Sequence, residues 1–145
     1  MSRYISPEVR REIAIRADFL CEYCLIAEAD SFFGCQVDHI ISLKHGGRTE
    51  PNNLAYACAF CNRHKGSDIA SIVPETGKLI RFYNPRIDKW ADHFRLNGSM
   101  IEPLTEIGKA TAGILRFNTN DRILEREALM RTGSYPTAET LARLR

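Results

Sequence analysis

Cys21-Glu22-Tyr23-Cys24 and Cys58-Ala59-Phe60-Cys61 are two Cys-x-x-Cys pairs with 33 residues between them. Two such knuckles can present four thiolates tetrahedrally to one Zn²⁺, and four thiolates leave no open position, so the ion is expected to be structural. A redox Cys-x-x-Cys or incidental buried thiols would be the plainer reading, but a redox pair normally comes once and here the motif is doubled. The spacer exceeds the roughly 15–20 residues of a simple zinc ribbon. The clamp therefore closes around something that can carry chemistry. Cys35 is left over and reads as a small buried hydrophobe.

Inside the clamp and just beyond it stand Asp38-His39-Ile40-Ile41, His45-Gly46-Gly47, Asn53-Leu54 and Cys61-Asn62-Arg63-His64-Lys65-Gly66. Both knuckles, Asp-His-Ile, Gly-Gly, Asn-Leu and Cys-Asn-x-x-Lys occur in one order. From about Cys21 to Asp68 the chain resembles the HNH (ββα-metal) endonuclease family in its zinc-bracketed form. The resemblance covers about a third of the chain.

The resemblance implies phosphodiester hydrolysis, which needs an activated water and relief of negative charge on the phosphate and leaving oxygen. A neutral His can take the water's proton near pH 7, and His39 is the residue implied as general base. Asp38 offers a hard oxygen for Mg²⁺ or Mn²⁺; its plainer role is a salt bridge. Asn62 stands where the family often has His, which makes an H-N-N variant with Asp38 and Asn62 as ligands of the catalytic divalent ion. A helix N-cap is the simpler role for Asn62. An ideal strand would point Asp38 and His39 to opposite faces, so they converge only if the strand ends or twists there. The resemblance implies that Asn53 braces His39 through a hydrogen bond, with Asn52 a turn residue. Lys65, Arg63, His64 and Lys44 are candidate nucleic-acid contacts, though each alone could be a solvated surface residue. The loop itself accounts for His45.

Around this segment the chain has 145 residues, 44% hydrophobic and 26% charged, enough to bury a core. Formal net charge is +2, with no bulk excess of base. It divides as −2 over residues 1–30, 0 over 31–75 and +4 over 76–145. Ionising four thiols for one Zn²⁺ brings the formal charge from +2 to 0, and a second divalent ion restores +2. The N-terminus has no apolar run, so no signal peptide is expected, and no stretch approaches the roughly 18 apolar residues of a membrane span. A cytoplasmic setting is the expectation, where paired Cys more often hold metal than bond each other.

Ser6-Pro7-Glu8 reads as the start of a helix over about 7–17. Gln36–Ile41 and Leu54–Ala57 read as short strands, Ser42–Asn53 as a loop, and Cys61 to about Ile69 as a helix. Leu79–Tyr83 alternates like a strand. Asn97-Gly98 marks a hairpin between 93–96 and 100–104. Thr105 can cap a helix to about Phe117, with Ile107, Thr111, Ile114 and Leu115 inward. Asn118 or Asn120 can cap another to Thr132, with Ile123, Leu124 and Leu129 apolar. Arg116, Arg122, Arg126 and Arg131 read as a solvated face. The aromatic residues of 82–94, with His93 beside them, read as core, and the tail from Tyr135 as a loose helix.

The expected fold is α+β: a ββα-metal core over about 18–70 framed by a four-cysteine zinc site, and an extension over about 76–145 of a hairpin and helices, all in one domain. The expected partner is DNA, with RNA as a second substrate class and no membrane. One site cuts one strand, so a double-strand break needs a homodimer, a partner subunit or two encounters. A zinc-dependent binding module without activity is the rival; it would need neither Asp38-His39 nor Asn62.

Overall fold

Pro7–Arg16 forms α1 because Ser6 caps it: Ser6 Oγ accepts from Val9 N at 3.2 Å, and Pro7 needs no partner for its missing N–H. In this computed structural model residues 4–145 are described; the first three residues of the N-terminus read above lie outside them.

Cys35–His39 (β1) and Leu54–Cys58 (β2) pair antiparallel, with Cys35 opposite Cys58 and His39 opposite Leu54. Ala59–Lys65 (α2) follows β2 at once. Here the expected boundaries shift. The helix begins at Ala59, two residues before Cys61, because the Cys58 thiol caps it by accepting from Cys61 N. It ends at Gly66, whose φ of +55° breaks the helical path. Asn62 is therefore inside the helix and not its cap. Residues 70–73, beyond the expected helix, form β3 (Ala70–Val73), which pairs with β4 (Lys78–Arg81).

The C-terminal half adds a one-turn α3 (Trp90–His93) and the hairpin β5 (Phe94–Asn97) with β6 (Met100–Pro103). Gly98 turns it at φ +59°. Glu106–Ile114 (α4) is capped by Thr105, whose Oγ1 accepts from Gly108 N at 3.0 Å. Asn120–Arg131 (α5) starts after Thr119, without a side-chain cap. Asn118 instead holds β6, bonding both Ile101 N and Ile101 O. Ala138–Arg143 (α6) closes the tail behind Thr137.

One hydrophobic cluster joins the two halves. It runs from Ile13 and Ala14 through Tyr23, Leu54 and Tyr56 to Trp90, Phe94, Phe117 and Tyr135. Cys35 lies in it, as expected for a spare thiol. His93 packs as read: its ring meets Tyr83 edge-on, and Nδ1 lies 2.6 Å from Thr105 Oγ1.

The face of α5 departs from expectation. Leu124 is 59% exposed, while Arg122 is 3% and Arg126 is 0% exposed. These arginines are not a solvated face. Arg126 donates from Nε to Ser99 O and from Nη2 to Phe117 O, both at 2.6 Å, pinning the hairpin turn to the α4–α5 junction. Arg122 reaches the cysteines. Arg116 and Arg131 remain exposed.

Candidate active site and metal centre

The four knuckle cysteines are buried and their sulfurs all lie within 4.8 Å of one another. A tetrahedral Zn–S distance near 2.3 Å places sulfurs about 3.8 Å apart, and Cys24 Sγ and Cys58 Sγ are 3.8 Å apart. Each knuckle folds the same way: Cys24 N donates to Cys21 Sγ, and Cys61 N to Cys58 Sγ, both at 3.4 Å. The Cys24 thiol is pulled well below its ordinary pKa, first by hydrogen bonds from the other three thiols, with Arg122 adding to the effect. Number, burial and spacing fit one Zn²⁺, and these four residues can hold it.

An open cleft of about 670 Å³ lies alongside. Gln36, Asp38 and His39 of β1, Lys44, and Asn62 of α2 all border it. Asp38 and His39 are both paired residues of β1, opposite Ala55 and Leu54, so the strand alternation still separates them: Asp38 is buried and His39 half-buried, and both border the cleft. Ser42 and Leu43 complete that wall, and Ser42 Oγ donates to Ser67 O at 2.9 Å.

His39 is half-buried, with Nε2 2.9 Å from Thr49 Oγ1. Thr49 lies at the far end of the loop and was missed in the sequence, because a lone loop Thr carries no spacing signal.

Asp38 is 4% exposed. Tyr23 OH donates to its Oδ2 at 2.8 Å, and Lys65 Nζ lies 3.2 Å from Oδ1 and 3.1 Å from Oδ2. Burial raises the carboxyl pKa, opposed first by the Lys65 charge and then by the Tyr23 hydrogen bond. Tyr23 is itself pushed well above the ordinary phenol range, chiefly by burial and then by the Asp38 charge. Lys65 also donates to His39 O at 3.0 Å. At 1% exposure its ammonium is used inside the protein, so it does not occupy the surface position expected of a phosphate contact.

Asn62 Nδ2 donates to Gln36 Oε1, across from β1. That bond fixes the amide nitrogen, and Asn62 borders the cleft. A carboxylate and an amide oxygen are the donor classes that suit Mg²⁺ or Mn²⁺; Asp38 is engaged by Tyr23 and in the salt bridge to Lys65 that was its plainer role.

Asn53 does bracing work, but on the loop. Its Oδ1 accepts from Ile41 N, while Nδ2 donates to Ile41 O and Arg48 O, at 2.8 to 2.9 Å. None of its bonds goes to the imidazole, so the direct bond implied for His39 is absent. Asn53 shapes the turn between the strands, and His39 sits at its entrance. Gly47 is required at the same point: a Cβ there would lie 1.7 Å from Ile41 O. Behind the loop, Arg16 Nη2 and Arg86 Nη1 both donate to Leu54 O, at 2.6 and 2.9 Å.

Of the other expected contacts, Lys44 and Arg63 are exposed. His64 is half-buried; its Nδ1 is 2.9 Å from Phe60 O and its ring stacks near Phe60, 4.3 Å between centroids. Arg10 of α1 borders the cleft and was not singled out in the sequence.

Among the described residues, no helix is long and apolar enough to cross a membrane. Neither a curated protein nor a solved structure matches the chain. Residues 21–68 match the family model for HNH endonuclease. That segment begins at the first knuckle cysteine and ends just past Lys65, enclosing the four thiols, β1, β2 and α2. Residues 21–68, with their four clustered cysteines, are thus similar to the HNH endonuclease family over about a third of the chain.

Proposed function

We propose that the protein is a metal-dependent endonuclease that hydrolyses DNA phosphodiester bonds in the cleft at His39. The observation that carries this reading is the meeting of Asp38, His39 and Asn62 on one open cleft beside the thiol cluster. A zinc module that only binds nucleic acid would have no use for that convergence.

His39 activates the water. Its imidazole takes the water's proton, with the ring positioned by the Nε2–Thr49 Oγ1 contact at 2.9 Å. Asp38 and Asn62 hold one Mg²⁺ or Mn²⁺, and Tyr23 and Lys65 fix the Asp38 carboxylate. When bound, that ion offsets charge on the phosphate and the leaving 3′ oxygen. Lys44 and Arg10 at the cleft wall, with Arg63 and His64 beyond it, supply backbone contacts. Zinc in the four-cysteine site is structural. Paired cysteines that hold metal go with a reducing, cytoplasmic setting. One site nicks one strand; paired cuts need a second copy or a second encounter.

The test is a nicking assay on supercoiled plasmid with and without Mg²⁺, run beside an RNA digestion panel. Wild type should nick the plasmid only with the divalent ion, and His39→Ala should abolish nicking while zinc content and the circular dichroism spectrum persist. Full activity in His39→Ala overturns the mechanism. Cleavage confined to RNA overturns the substrate.

A further inference from the structure

Arg122 lies in α5, 98 positions beyond Cys24, yet its Nη2 donates to Cys24 Sγ at 3.2 Å. Its Nη1 lies 3.9 Å from Cys58 Sγ and 3.8 Å from Cys61 Sγ. The guanidinium carbon stands 4.4 Å from the centre of the Phe60 ring, and Glu125 Oε1 lies 3.0 Å from Nε. Ring and carboxylate hold the fork on the sulfurs. The planar guanidinium serves three sulfurs from two nitrogens in a fixed fork, whereas a lysine ammonium is a point charge on a flexible stem.

The same half of the chain also holds the backbone of the first knuckle. Trp90 Nε1 donates to Tyr23 O at 2.9 Å, Tyr135 OH to Cys24 O at 3.0 Å, and Thr140 Oγ1 to Leu25 O at 2.9 Å. Three successive carbonyls are thus each bonded by a side chain from beyond residue 89. The HNH-matched segment supplies the thiols, and the rest of the chain supplies their surroundings.

Charge explains why the fourth of these contacts must be a cation. Four thiolates and one Zn²⁺ carry two net negative charges, and burying uncompensated charge is costly. The neutral donors Trp90, Tyr135 and Thr140, bonded to the carbonyls of 23–25, orient the knuckle but offset none of that charge. Arg122 does, at the one face of the cluster covered by α5.

We infer that Arg122 is the outer counter-cation of a zinc tetrathiolate, and that through it the docking of α5 and the retention of zinc are coupled. The inference rests on the zinc reading of the four cysteines and is independent of nuclease activity. Residues 76–145 then act as a clamp on the metal knuckle as well as a cover for the core.

The experiment uses the full chain as wild type, Arg122→Gln, Arg122→Lys and the exposed control Arg131→Gln. Bound zinc is measured by elemental analysis, and affinity by competition with a chelating indicator. Arg122→Gln should bind zinc about 10- to 100-fold more weakly, the usual cost of losing a group that supports a metal ligand. Arg122→Lys should fall between, and Arg131→Gln should match wild type. Arg122→Gln with wild-type affinity overturns the inference. Wild type that binds no zinc removes the zinc reading itself, a different result. Should Arg122→Gln fail to fold, wild type still decides: stripping zinc with a chelator should raise hydrogen exchange in α5, and unchanged exchange overturns the coupling.

Discussion

Lys65 Nζ and Asp38 Oδ2 are 3.1 Å apart, with the two side chains only 1% and 4% exposed. The pair ties α2 to β1 directly behind His39, and Lys65 reaches the His39 carbonyl as well. Removing one member leaves the other charge buried alone, which costs about 3–5 kcal/mol. Lys65→Met should therefore lower stability by about that amount in chemical denaturation. Lys65→Met combined with Asp38→Asn should recover a large part of it, since no bare charge remains. A double variant no more stable than the single one would show that the ion pair is not the source of the loss.

The thiol cluster makes a second expectation. Structural zinc contributes folding free energy directly, because the unfolded chain has no formed site. Cys58→Ser removes one sulfur and with it the acceptor that caps α2. Zinc content and melting temperature should fall together. An unchanged melting temperature would reject a structural role for the metal.

The loop after β1 offers a comparison of neighbours. Gly46 has φ +86° with nothing within 4 Å of an added Cβ, whereas a Cβ on Gly47 would sit 1.7 Å from the Ile41 carbonyl oxygen. Gly46→Ala should cost about 1–2 kcal/mol, the ordinary penalty of a left-handed non-Gly residue. Gly47→Ala must displace the loop that Asn53 bridges, so it should lower the melting temperature further and suppress plasmid nicking. Equal behaviour of the two variants would mean that loop shape does not govern His39.

The four zinc-clamp cysteines, the Asp-His pair and the two flanking strands were legible because their signals are local: a two-residue spacing, a period of two, a Gly-Gly turn. Even the shifted start of α2 has a local cause, since a cysteine thiol serves as the cap where sequence reading looks for Ser, Thr, Asp or Asn. The bracing role of Asn53 was legible as a residue, while its partners at Ile41 and Arg48 depend on how the loop closes.

The least legible features are contacts across long separations. Arg122 and Arg126 look like a polar helix face, because helical spacing records only which residues share a side. Whether that side meets water, thiols or orphaned carbonyls depends on which distant segment packs there. Lys65 reads as a surface cation for the same reason, although Asp38, 27 positions away, accepts it in the fold. Composition and spacing thus sufficed to point to the four-cysteine cluster and to the family model that residues 21–68 match. The burial of charge, and with it the roles of Lys65 and Arg122, followed only from packing, because a charged side chain is stable inside a protein solely where the fold brings it a partner.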